Sequence, residues 1–128
     1  MILTDTSVVI VYERTASGRL RQIMTAYDAA VCGVAVAEMF AGVRTPTQEA
    51  RCRAALTDFR TLPIPDALWE QVGHNQSALL AGGVTVPLTD TIQATLALSL
   101  GVELWAYDTH FTLIQRVLPA LRLFQEPP

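Results

Sequence analysis

The sequence predicts an α/β fold with a parallel sheet, and three observations carry that prediction. Short apolar runs of strand length, beginning with Ile2–Thr4 and Ala29–Gly33, alternate with longer stretches whose apolar residues recur at helical spacing. That alternation is what strand–helix–strand units produce, with helices covering both faces of the sheet. Acids, Asp5 first among them, stand where strands end or the next helices begin. At 128 residues and 51% hydrophobic the chain makes one domain, residues 1–128, with a sizeable core.

Ile2–Thr4 is too short for a helix and reads as a buried strand ending on Asp5. Ser7 reads as the N-cap of a short helix over 8–13, and Ser17 as the cap of the next. In that second helix Leu20, Ile23, Met24 and Tyr27 share a face, and Asp28 ends it. Ala29–Gly33 is the second strand. Val34–Arg44 follows as a helix striped by Val36, Met39, Phe40 and Val43, with Glu38 off the stripe. Thr45-Pro46 starts another helix, cap then N1 proline, running to about Arg60.

Thr61–Ile64 reads as the third strand, closed by Pro65. Asp66 caps a helix that continues through Trp69, Val72 and Leu79 to Gly82-Gly83. After a turn over Val84–Pro87, Thr89 or Asp90 opens a helix that Gly101 ends in the left-handed conformation. Val102–Ala106 is the fourth strand, Thr109–Leu118 a helix stopped by Pro119, and Ala120–Phe124 a fifth strand.

Composition narrows the function. No apolar run reaches the roughly 18 residues of a membrane span. The start lacks a basic region before its apolar run, so a cytoplasmic location is expected. Cys32 and Cys52 have no metal or redox spacing and read as reduced core residues. The net charge of −3 argues against a general nucleic-acid coat protein. Its distribution is uneven, with seven arginines against four acids over residues 14–60. That region is the expected phosphate-contacting face.

The chemistry lies in the acids. Asp5 ends the first strand, Asp90 opens a helix, Asp108 ends the fourth strand, and Glu38 sits in the helix after the second. A parallel sheet gathers such junctions on one rim, where like charges repel unless a cation joins them. Oxygen donors suit Mg²⁺, with Mn²⁺ able to substitute, and such an ion activates water for phosphodiester hydrolysis. Rival sheet-rim chemistries fail on composition. Receiver domains, dehalogenase-type phosphatases and P-loop NTPases each need a lysine, and all nine basic residues here are arginine. Nor is there a GxSxG elbow.

These motifs resemble the PIN-domain ribonucleases, and within them the VapC-type toxins of prokaryotic toxin–antitoxin pairs. The resemblance covers nearly the whole chain. Ile2-Leu3-Thr4-Asp5-Thr6-Ser7 is similar to the first family motif, and Val36-Ala37-Glu38-Met39-Phe40-Ala41-Gly42-Val43 to the second. Asp90-Thr91-Ile92-Gln93-Ala94-Thr95-Leu96-Ala97 is similar to the third, and Leu104-Trp105-Ala106-Tyr107-Asp108-Thr109-His110-Phe111 to the fourth. Ala35, Gln93 and Ala106 depart from the pattern without removing a carboxylate.

The resemblance implies a PIN-like three-layer sandwich with a central parallel sheet of about five short strands. It implies Asp5, Glu38, Asp90 and Asp108 as metal ligands and catalytic residues, with Thr6 and Ser7 orienting Asp5 or a bound water. It implies a metal-dependent endoribonuclease toxin that cleaves structured RNA such as tRNA or rRNA, leaving a 5′-phosphate and a 3′-hydroxyl. The implied partners are a second copy, forming a homodimer, and a small VapB-type antitoxin, with Val11, Tyr12, Leu20 and Ile23 lining its groove.

Plainer readings stand beside these. Asp5, Asp90 and Asp108 could each merely cap a helix, and Glu38 could be an exposed helix acid. His110 reads as a solvent-facing residue at a helix start, His74 as surface, and Trp69 and Trp105 as core or interface. A PIN-fold binding protein with a vestigial site and a structure-specific DNA nuclease are the alternatives to the ribonuclease.

Overall fold

The computed structural model describes residues Met1–Pro128. Four short strands, β1 (Ile2–Thr4), β2 (Ala29–Cys32), β3 (Arg60–Leu62) and β4 (Glu103–Trp105), form one sheet in the order β3-β2-β1-β4. All three pairings are parallel. Successive strand residues point to opposite faces, and here both faces are buried. Ile2, Val31 and Trp105 enter one core, while Leu3, Cys32 and Leu104 enter the other.

The first core lies under α1 (Thr6–Thr15), α2 (Gly18–Ala26), α3 (Gly33–Ala41) and α4 (Pro46–Thr57). The second lies under α5 (Trp69–Ala81), α6 (Leu88–Leu100) and α7 (His110–Val117). The three layers of the expected sandwich are therefore present. No helix is long and apolar enough to cross a membrane.

Several predicted devices hold. Ser17 accepts from the Leu20 amide and Thr45 from the Gln48 amide, as N-caps do, and Pro46 sits at N1 of α4. Gly101 ends α6 at φ 66°, a backbone conformation that favours a residue without Cβ. Cys32 and Cys52 are both free and buried.

Other expectations are corrected. Asp5, not Ser7, is the N-cap of α1, because the Asp5 carboxylate accepts from the Ser7 amide. Asp66 caps nothing; it is the first residue of a 3-10 turn, Asp66–Leu68, that leads into α5. Pro87 precedes α6, so Asp90 lies in the helix's first turn rather than at its cap. β3 stops at Leu62 because Pro63 has no N–H for the ladder.

The fifth strand shrinks to a single bridge, Leu104 to Leu123. Residues around that bridge are committed to burial instead of pairing. Leu121 enters the core under α5–α7 and Phe124 the opposite one, where its ring meets Trp105 edge-on at 5.6 Å. The predicted partner groove also fails as drawn. Tyr12, Leu20 and Ile23 are core residues beneath α1 and α2, and only Val11 of the four is exposed.

Candidate metal centre at the carboxyl rim of the sheet

β1 and β4 are neighbours, and the chain leaves them toward opposite helical layers. Ligands of open α/β sheets bind in the crevice that such a reversal opens. Asp5 follows β1 directly, and its amide donates to the Trp105 carbonyl at the end of β4 at 2.8 Å. That bond fixes Asp5 at the crevice.

The Asp5 side chain is almost fully buried, and both of its oxygens accept hydrogen bonds. Oδ2 accepts from the Ser7 amide at 3.0 Å and the Ser7 hydroxyl at 2.6 Å. Oδ1 accepts from Gln93 Nε2 at 2.7 Å. The Ser7 hydroxyl in turn accepts from the Tyr107 amide at 3.0 Å, tying the loop after β4 to the start of α1. Both Ser7 donors thus point at Asp5 Oδ2, while the Thr6 hydroxyl donates to Glu38 Oε1 at 2.8 Å and so links α3 to the same rim.

Asp90 and Asp108 come together with a histidine. His110 Nδ1 stands 2.7 Å from Asp90 Oδ2 and 3.3 Å from Asp108 Oδ1. The His110 amide donates to Asp108 Oδ1 at 2.8 Å. One donor atom from each of the three residues falls within 4.8 Å of the others. Asp5 and Glu38 lie outside this trio.

Asp5 is nonetheless felt electrostatically. Burial raises the Asp90 pKa above the ordinary carboxylate value, the His110 hydrogen bond works against this, and the charges of Asp5 and Asp108 add to the rise. The His110 pKa is raised mainly by its hydrogen bond to Asp90, opposed by burial and supported by the Asp108, Asp90 and Asp5 charges. The rim is thus a place where negative charge is under-compensated by the protein. A carboxylate-rich donor set in that state fits a hard divalent cation.

Two clefts flank the rim. One, of about 210 Å³, is lined by Glu38 together with Arg14, Arg51 and Gln48 from α1 and α4. The other, of about 400 Å³, is lined by Asp108, Tyr107, Trp105, Phe124 and Glu126. The basic region proves less available than its composition suggested. Arg19, Arg21, Arg51, Arg53 and Arg60 each pair with an acid, and Arg44 donates to the Ala41 and Val43 carbonyls. Arg14 alone of the seven arginines in 14–60 makes no such contact.

Two members of the site were not assigned to it from sequence. The sequence places His110 at a solvent-facing helix start, whereas its ring contacts Asp90 and Asp108; the adjacent Asp108 is the signal that the sequence offers. Gln93 departs from the motif pattern and is buried against Asp5, and a polar side chain among apolar residues of α6 is itself a sign of a buried partner.

The PIN domain family model matches residues 2–117. Among solved structures, the chain is similar to one in VapBC2 from Rickettsia felis bound to a DNA fragment from their promoter. That match has a TM-score of 0.81 at 14% identity and covers 97% of this chain and 98% of the other. DNA-bound VapBC from Salmonella typhimurium gives 0.80 at 15% identity, covering 97% and 98%. VapBC-5 from Mycobacterium tuberculosis, of the VapBC family of toxin–antitoxin systems, gives 0.72 at 21% identity, covering 97% of each chain. No curated protein matches the sequence. The family model spans most of the chain and these structures share its fold, so the chain belongs to the PIN-domain family.

Proposed function

We propose that this chain is a divalent-cation-dependent endoribonuclease, the toxin of a toxin–antitoxin pair. The observation that carries the reading is the Asp90, Asp108 and His110 cluster at one rim of a PIN domain, with the Asp5 charge acting on Asp90 and Glu38 tied to α1 through Thr6. Asp5, Asp90 and Asp108 would hold the cation, with Glu38 completing the acidic set. A divalent cation held there supplies polarisation of a phosphodiester oxygen and a lowered pKa for water.

The chain's own residues do the rest. Ser7 and Gln93 occupy both Asp5 oxygens and fix the direction of its remaining lone pairs. Desolvation around Asp90 strengthens that carboxylate's own charge interactions. Clefts lie on both the Glu38 side and the Asp108 side, so a polymer bound at the acids has surface to occupy in either direction, which favours internal cleavage. Arg14, free of protein partners, is available to a phosphate in the Glu38 cleft.

A small antitoxin as partner is supported by the similar structures, which are complexes of the VapBC kind. RNA as the substrate, and a homodimer, belong to the same proposal. Cleavage of RNA by the wild type in Mg²⁺ or Mn²⁺, with new ends mapped by sequencing, is the test. Asp5→Asn is expected to fold and to leave RNA intact. Metal-dependent cleavage retained by that variant would defeat the acid-site assignment. Cleavage of DNA but not RNA by the wild type would reassign the substrate.

A further inference from the structure

The donor trio at the rim is two carboxylates and one imidazole, and the imidazole has a definite geometry. His110 Nδ1 lies 2.7 Å from Asp90 Oδ2 and 3.3 Å from Asp108 Oδ1. Two donors at right angles on a metal with bonds of about 2.1 Å stand about 3 Å apart. These separations therefore match neighbouring ligands of one small ion as well as they match an ion pair.

The ring is held in place by its backbone. His110 opens α7 with its amide on Asp108 Oδ1, and the next residue, Phe111, is buried in the core. The backbone that carries the ring is therefore anchored beside the acids. Asp108 and His110 keep about a third of their side-chain surface exposed, at 36% and 39%, so the trio is open on one side. Asp90 closes it on the other, with 10%. A site closed by protein on one side and open on the other suits an ion that must also meet substrate.

We propose that His110 is a direct metal ligand, its Nδ1 joining Asp90 and Asp108 on one divalent cation and biasing the site toward Mn²⁺ over Mg²⁺. This rests on the reading of the acidic rim as a cation site and specifies its donor set. Mg²⁺ takes oxygen donors almost exclusively, whereas Mn²⁺, the hardest of the first-row divalent series, shares its taste for carboxylates and still accepts a nitrogen. One nitrogen among carboxylates keeps the site hard enough for Mn²⁺ while disfavouring Mg²⁺. On binding, Nδ1 would release its proton to solvent, and the His110–Asp90 hydrogen bond would give way to coordination of the ion by both groups.

The chain contains only two histidines, which makes the assignment testable. The other, His74, sits exposed on α5 beside Glu70. Tag-free full-length protein is loaded with less than one equivalent of Mn²⁺ and read by pulsed electron paramagnetic resonance for coupling to a directly bound ¹⁴N. Imidazole coupling is expected in the wild type and in His74→Ala, and its loss in His110→Ala. Calorimetry on His110→Ala should still detect Mn²⁺, with the Mn²⁺-to-Mg²⁺ affinity ratio lowered at least about tenfold, the lower end of what losing even an outer partner costs. A wild-type Mn²⁺ signal without nitrogen coupling overturns the ligand role, as does coupling that survives in His110→Ala. Either result leaves the cation reading standing. Failure of the wild type to bind Mn²⁺ at all removes the cation reading and the ligand role together.

Discussion

Gln93 Nε2 donates to Asp5 Oδ1 at 2.7 Å across the sheet–helix boundary, while Gln93 Oε1, buried in the same place, has no partner. Gln93 has no exposed surface. A buried amide oxygen without a hydrogen bond costs stability, on the order of 1–3 kcal/mol. Packing alone would be better served by leucine. The arrangement makes sense if the amide is there to aim Asp5.

Gln93→Leu tests this. Losing Oε1 removes an unsatisfied atom, while losing Nε2 strips Asp5 Oδ1 of its donor, so the two effects oppose each other in stability. The thermal midpoint should stay close to the wild type's. Divalent-cation affinity by calorimetry should fall roughly 10–100-fold, the usual range for an outer partner of a metal site. A folded variant with undiminished affinity would assign Gln93 to packing.

Asp90 shows the opposite balance between stability and function. Its raised pKa means that folding disfavours its ionised form. Folded protein therefore binds more protons than unfolded protein between the ordinary carboxylate pKa and the raised one, and stability falls as pH rises through that window. Without metal, Asp90→Asn should melt higher than the wild type at neutral pH, and the gain should shrink as the pH is lowered through that same window toward the ordinary carboxylate value. Saturating Mn²⁺ should raise the wild-type midpoint by mass action and leave the Asp90→Asn midpoint unmoved. Scanning calorimetry with and without the ion, at pH 7 and pH 4, reads both effects.

The parts of this molecule that were legible in its sequence are those fixed by local rules. Ile2 beside Leu3, and Val31 beside Cys32, bury on opposite faces, as a two-sided parallel sheet demands. Ser17, Thr45-Pro46 and Gly101 punctuate helices through chemistry contained in a few neighbouring residues. What failed depends on distant approach. The Ala120–Phe124 run has strand character, but burial of Leu121 and Phe124 on opposite sides of the sheet limits it to one bridge. Tyr12, Leu20 and Ile23 form an apolar stripe whether it meets a partner or the protein's own core, and periodicity does not distinguish the two. His110 joins Asp90 only because α6 and the start of α7 converge, 20 residues apart in sequence.

Arg14 offers a separate test of RNA contact. It lines the Glu38 cleft and has no protein partner, unlike its neighbour Arg51, which pairs with Glu13 at 3.1 Å. A phosphate-contacting arginine contributes to the salt dependence of binding through the counterions it displaces. Arg14→Ala should weaken binding of single-stranded RNA to the cleavage-inactive Asp5→Asn protein, similarly across sequences. The slope of log affinity against log salt should lose about 0.7, the value of one phosphate contact on a single strand. An unchanged slope, by fluorescence anisotropy over a salt series, would remove Arg14 from the RNA path.

The end of α1 carries backbone strain that can be relieved without touching the rim. Ala16 caps the helix in the left-handed region, at φ 46° and ψ 39°, with its amide on the Tyr12 carbonyl at 2.8 Å. A Cβ in that conformation costs roughly 1–2 kcal/mol, and glycine avoids the cost. Glycine also adds freedom to the unfolded chain, which takes back about 0.5–1 kcal/mol. Ala16→Gly should therefore raise the urea midpoint, with a net gain of about 0.5–1 kcal/mol. Ala16 is exposed and stands at the opposite end of α1 from Asp5, about 15 Å along a helix of this length. RNA cleavage should be unchanged. A lower midpoint would show that the alanine side chain contributes packing that outweighs its strain.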